Sequence, residues 1–127
     1  EAETIGVTLA KQMCDKPVAP KLWRLSDLEN HWSDLILRSY IICDEGNRIL
    51  YQEGTVDSML YPAKLLNEFG KTDQLGGLAP GDVMLCGTLP VIGAVRPAKR
   101  FEFGIFDPIL QRRIEHQYDI LTLPNEG

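Results

Sequence analysis

The chain has 127 residues, 44% hydrophobic and 24% charged, a balance that suits one globular domain with a core to bury. Its net charge of −5 excludes DNA or RNA as the main partner, because phosphate binding needs a basic footprint. No apolar run is long enough to span a membrane, and three cysteines without metal spacing, Cys14, Cys43 and Cys86, predict reduced, buried thiols and a cytoplasmic protein.

The chain opens on Glu1-Ala2-Glu3 rather than Met and reads as the interior of something longer. Ile5, Leu9 and Met13 recur every four residues, the spacing of a short helix, against which Gly6 counts. Lys16 to Pro20 is extended or turned. Ser26-Asp27-Leu28-Glu29 has the form of a capping box and predicts a short helix from about Asp27 to Trp32. Leu35 to Cys43 is a β run, Asp44 to Asn47 a turn, and Arg48 to Gln52 the returning strand. Pro62 at a first helical turn and Gly70 after a last one bracket a helix from Pro62 to Phe69. Gly76 and Gly77 mark a loop. Asp82 to Cys86 is a short apolar strand after a Pro-Gly turn, in which the Asp82 carboxylate serves local backbone N–H groups. Phe101, Phe103 and Ile105 mark a half-buried strand, Asp107-Pro108 a turn, and Arg113 to Leu123 a last strand with Ile114, His116, Tyr118 and Ile120 on one face. Five or six strands and two or three short helices make a β-rich α+β domain, without the alternating rhythm of a doubly wound fold.

The loop Gly87 to Gly93 is the segment best placed for chemistry. Gly87 lets backbone come close to another group, and Thr88 offers an O–H and an N–H beside it at a strand end. A plain hairpin loop explains the same pattern equally well. A phosphate-binding loop is excluded, because the loop runs on into Ala94-Val95-Arg96-Pro97 and no helix starts there. Zinc is excluded by two distant histidines, His31 and His116, without a cysteine pair. No Gly-x-Ser-x-Gly elbow exists. Arg96, just beyond the loop, is either an anion contact or a surface arginine. His116 is a candidate general base, with a packed strand histidine as the competing reading. Trp23 and Trp32 are expected in a core or interface.

Leu78 to Gly93, LAPGDVMLCGTLPVIG, resembles the segment that fumarylacetoacetate hydrolase-like proteins write as L-x-P-G-D-V-I-x-T-G-T-P-x-G-V-G. Upstream, Gln52 to Leu60 is similar to that family's Q-x-G-x-T-x-D-M-I-F stretch, and Ala10-Lys11-Gln12-Met13 with Val18-Ala19-Pro20 is similar to its G-K-x-F…S-P segment. Order and rough spacing agree over about residues 10 to 93. Two departures stand out: Cys86 replaces the usual threonine, and Leu89 is inserted before Pro90.

The resemblance implies a mixed β-sandwich roll of the fumarylacetoacetase C-terminal type, here an incomplete domain at the C-terminal end of a longer chain. It implies a homodimer or higher homo-oligomer. The activity implied is that of a hydrolase or lyase on a small oxo-acid of the acylpyruvate kind, by C–C cleavage, decarboxylation or isomerisation. A divalent cation, Mg²⁺ or Ca²⁺, would polarise the substrate oxygens. Carried over by position, Lys11 matches the family's catalytic lysine, Gly87 and Thr88 its substrate-binding pair, and Thr55 a threonine of a supporting loop. A solvated helix lysine is the plainer reading of Lys11. The metal ligands are expected upstream of this chain, since Glu1-Ala2-Glu3 lies too close to Lys11 for the family's E-x-E pair. A module that kept the fold to bind a small ligand or to assemble, without catalysis, is the alternative.

Overall fold

Alternating apolar and polar residues build two antiparallel hairpins that lie side by side. The computed structural model describes residues 14–72 and 77–121. Strand β1, Ile36–Ile42, returns as β2, Arg48–Thr55; β3, Arg100–Asp107, returns as β4, Arg112–Asp119. The sheet order is β2-β1-β3-β4, with every pair antiparallel. The first hairpin closes through Gly46 at φ +83°, where Gly46 N–H donates to the Cys43 carbonyl (3.0 Å). Between β2 and β3 the chain runs through a helix, α1, Pro62–Thr72, and a long loop.

Period-two alternation gives the sheet two different faces. One carries Leu37, Ser39 and Ile41 beside Phe101, Phe103 and Ile105, which in turn pair with Tyr118, His116 and Ile114. At one end of this face Leu28, Leu35 and Val56 form a buried cluster, against which Trp23, Trp32, Leu37, Met59 and Ile105 pack. Both tryptophans therefore serve the core. The other face is charged: Arg38 pairs with Glu53, and Arg48 with Glu102 at 2.7 Å. A bulge opposite Ser39 and Tyr40 leaves Tyr51 as an extra residue in β2. Such a bulge turns two consecutive side chains to one side. Tyr51 accordingly meets Phe101 edge-on, with 6.2 Å between ring centroids, while Gln52 faces Ser39 on the same side.

The β-rich α+β class holds, with four strands and one α-helix among the described residues. Several local expectations change. The Asp27 to Trp32 helix is replaced by two 3₁₀ turns, Leu25–Asp27 and Trp32–Asp34, and Ser26 caps nothing. Six residues cannot repay helix nucleation, and the turns are set by burial of Leu28 and by His31 reaching Asp107 (3.1 Å). Helix α1 runs past Gly70 to Thr72, since Gly70 keeps a helical backbone and Lys71 pairs with Glu68 at 2.8 Å. Asp82 to Cys86 is no strand: it has no ladder partner among the described residues, and Val83 and Leu85 are 70% and 62% exposed. The outer edge of β2 is met instead by Ile92, whose N–H donates to the Tyr51 carbonyl (2.7 Å). The three thiols are free, but Cys14 and Cys86 are exposed and Cys43 half-buried, so the expected burial fails. Cys86 is exposed because the segment that carries it is uncovered. The expected helix around Ile5, Leu9 and Met13 lies outside the described residues. Among those described, no helix is long and apolar enough to cross a membrane.

Candidate functional site

Three elements bring polar groups together beside the Gly87-Thr88 loop. β1 supplies Ser39, which is buried, although its neighbours in the strand are apolar or charged. β2 supplies Gln52, buried to the same side. The loop after Gly87 supplies Thr88 and Leu89. The Ser39 hydroxyl donates to Gln52 Oε1 (2.7 Å). Gln52 Nε2 donates to Thr88 Oγ1 (3.1 Å) and to the Leu89 carbonyl (2.5 Å). Leu89 is itself buried and lies over Gly54, where an added Cβ would come within 3.2 Å of its Cδ1. Leu89 is thus the anchor that docks the loop on the sheet, and the absent side chain at Gly54 makes room for it.

Under this junction lies a cleft of about 130 Å³, lined by Ser39, Gln52, Thr88, Leu89, Phe101 and Phe103. Drug-sized ligands occupy roughly 300–1,000 Å³, so this cleft has room for a group of a few heavy atoms. Thr88 is exposed at its mouth. Gly87 is also exposed, and a Cβ there would meet nothing within 4 Å. A broader hollow, about 680 Å³, spreads over the opposite face between Tyr40, Arg48, Glu102, Phe106 and Arg113. The Arg48 guanidinium there is already engaged by Glu102 and lies 3.3 Å from the centre of the Tyr40 ring.

The other sequence-derived residues disperse. Lys11 lies outside the described residues. Thr55 ends β2 three positions after Gln52, so it projects from the opposite face; its carbonyl accepts from the Ser58 hydroxyl (3.3 Å). Arg96 folds back on its own loop, where Nη1 donates to the Ile92 and Ala94 carbonyls (3.2 and 2.9 Å) and the guanidinium sits 5.2 Å from the Tyr51 ring. That braces the turn at Gly93, which has φ +83°. His116 is half-buried on the cleft's side of the sheet, edge-on to Phe103 at 5.8 Å. Asp82 does as expected, accepting from the Ala79 N–H (2.8 Å).

Ser39 and Gln52 are candidate site residues that the sequence pattern did not single out. Their signal was present: a serine inside ILRSYII and a glutamine inside RILYQEGT, each at a strand position that burial makes costly without a partner. A second polar cluster sits apart, at the β3–β4 turn. Asp107 is fully buried and accepts from the Ile109 and Leu110 N–H groups (3.1 and 3.0 Å), from Arg112 Nε (3.0 Å) and from His31 Nε2 (3.1 Å). Burial alone would raise its carboxyl, but the Leu110 N–H, His31 and Arg112 outweigh that and hold it at about 2. Every one of these bonds ties strand, turn and core together.

The resemblance implies a Mg²⁺ or Ca²⁺ site. Hard cations need several oxygen ligands converging on one point. Among the described residues no group of three or more His, Cys, Asp or Glu side chains is arranged to hold a metal ion. The Thr88 cleft itself offers a hydroxyl and an amide that are already bonded to each other, which does not fit a divalent cation.

A family model described as "Protein of unknown function (DUF2848)" matches residues 1–118. No curated protein and no solved structure matches the chain.

Proposed function

The chain belongs to the DUF2848 family, and we propose that it is a fumarylacetoacetate hydrolase-like protein whose Gly87-Thr88 loop binds the carboxylate of a small oxo-acid. The observation that carries this reading is the position of Thr88, at the mouth of a small cleft and fastened there by Gln52. A carboxylate needs donors and little volume. The Thr88 hydroxyl and the open backbone at Gly87 offer the donors, and Phe101 and Phe103 offer an apolar floor for a short carbon chain. His116, on the same side of the sheet, is the candidate base, and Lys11 adds positive charge to the developing enolate. The reaction is hydrolytic or lyase-type, on an acylpyruvate-like acid. In this reading the four-stranded sheet is part of a mixed β-sandwich roll, the assembly is a cytoplasmic homodimer, and a divalent metal would be held by carboxylates outside the described residues.

The test is direct. The chain is titrated calorimetrically with acetylpyruvate and with oxaloacetate, then assayed for their consumption with Mg²⁺ present. Saturable binding that Thr88→Val weakens about tenfold supports the site. An unaltered heat of dilution for both acids sinks it. A second reading, a binding or assembly module without catalysis, is favoured by the small cleft that Leu89 leaves. Binding without turnover by the full-length protein, with Mg²⁺ present, selects it.

A further inference from the structure

We propose that Gln52 is a positioning residue that fixes the Thr88 hydroxyl as a hydrogen-bond donor toward a bound carboxylate, and that Ser39 holds the Gln52 amide in the sense this requires. The inference rests on the oxo-acid reading of the cleft. It begins from the asymmetry of an amide. The oxygen of a glutamine side chain only accepts, and its nitrogen only donates. Ser39 is buried and its hydroxyl donates to Gln52 Oε1 at 2.7 Å. That leaves the nitrogen turned to the loop, with one hydrogen for the Leu89 carbonyl (2.5 Å) and one for Thr88 Oγ1 (3.1 Å). A carbonyl accepts and never donates, so the contact to Leu89 enforces the same orientation. The Leu89 carbonyl thus sets the sense of the amide, and the Ser39 hydroxyl, able to donate or accept, holds it there from the other side.

The consequence falls on Thr88. Its oxygen accepts from Gln52, so its own hydrogen is unspent on that contact. Among the described residues the hydroxyl has no acceptor of its own. A threonine so arranged presents a donor to whatever enters the cleft. It favours groups that only accept, such as a carboxylate or a ketone oxygen, and disfavours a ligand amide N–H or a protonated acid. The chain Ser39–Gln52–Thr88 runs in one direction, each donor polarising the next. Reversing the amide would reverse the direction and turn the Thr88 hydrogen back toward the protein.

A pH profile reads out this direction. Acetylpyruvate binding is measured by calorimetry for the native chain and for Gln52→Glu between about pH 4 and pH 8. A protonated Glu side chain has one O–H and so can keep one of the amide's two contacts, to Thr88 or to the Leu89 carbonyl; an ionised one only accepts, and draws the Thr88 hydrogen away from the ligand. The charged or titratable groups around position 52 are Tyr51 beside it, His116 and Tyr118 on β4, Arg96 in the loop, and Arg38, which borders the cleft from β1 and pairs with Glu53. The native curve carries their contribution and is the reference.

Gln52→Glu is expected to bind within a few-fold of native at the acid end and to lose about tenfold or more relative to native as the carboxyl ionises. Ser39→Ala, which leaves no charge in the sheet, is expected to weaken binding with circular dichroism unchanged, and Ser39→Thr to restore it. A Gln52→Glu profile parallel to the native one overturns the role of Gln52, and a folded Ser39→Ala chain that binds as native does overturns that of Ser39, while the oxo-acid reading stands. Absence of acetylpyruvate binding by the native chain overturns both.

Discussion

Asp107 shows how much one buried carboxylate can organise. Two backbone N–H groups, an arginine and a histidine all donate to it, and the arginine in turn lies 4.7 Å from the Trp23 ring. An uncompensated charge in that place is costly, whereas a compensated one fixes the geometry of everything bonded to it. Asp107→Asn keeps the shape but removes the charge and leaves donors competing for one oxygen. It is expected to destabilise the chain by about 3 kcal/mol at neutral pH, read by urea unfolding. The pH dependence comes from the sign of the shift. The folded carboxyl is held at about 2, below its ordinary value of 3.8. Its contribution is therefore complete above about pH 4 and is lost as the pH falls toward about 2. The native chain should lose stability across that interval, and Asp107→Asn should lose distinctly less. Equal slopes for the two chains would mean that the acid sensitivity belongs to other carboxylates. The exposed pairs, such as Arg100 with Asp119, are worth little by comparison.

At the scale of elements, glycines decide where backbones approach each other. Gly104, in the middle of β3, sits where an added Cβ would lie 2.9 Å from the Ile114 carbonyl and 3.1 Å from Glu115 Cγ. The first of these is backbone in a paired strand and cannot yield without disturbing the β3–β4 ladder. Gly104→Ala is expected to cost about 2 kcal/mol. Gly54→Ala meets only Leu89 side-chain carbons, at 3.2 Å, which can turn aside. A melting temperature that falls further for Gly104→Ala than for Gly54→Ala is the expected result; the reverse order would mean that the loop, not the ladder, limits stability. Few contacts keep the loop docked. Among the described residues Leu89, Gln52, one backbone bond from Ile92 and the Arg96 guanidinium over Tyr51 hold it, and the segment before it remains exposed.

The whole molecule exposes more apolar surface than its charged sheet face suggests. Val83 and Leu85 lie in a segment with no ladder partner among the described residues, and Val95 and Leu121 are also exposed. Unpaired backbone flanked by apolar side chains favours pairing with another chain. Light scattering is expected to report a dimer or a higher oligomer, and Val83→Lys with Leu85→Lys to shift it toward the monomer. A monodisperse native monomer would remove the homodimer from the proposed function. The edge strand β4 argues that such association is specific rather than general, since its outward residues Arg113, Glu115 and Asp119 are charged and discourage sheet-to-sheet growth.

Periodicity and turn chemistry carried the sheet. The alternation in Ile36–Ile42 and in Phe101, Phe103 and Ile105, with Gly46 and Asp107-Pro108 at the turns, is local information, because a strand's two faces are written in every second residue. The Asp82 carboxylate in its turn was legible for the same reason. Matters of partnership were beyond the sequence. Whether Asp82 to Cys86 becomes a strand depends on a neighbour's backbone, and whether Gly70 ends α1 depends on the backbone conformation it adopts. The site divides along the same line. Gly87 and Thr88 could be named from their own pattern, but the part played by Gln52, Ser39 and Leu89 could not. Their bonds join positions 13 to 37 residues apart, and only the packed sheet, with its bulge at Tyr51, turns them toward one cleft.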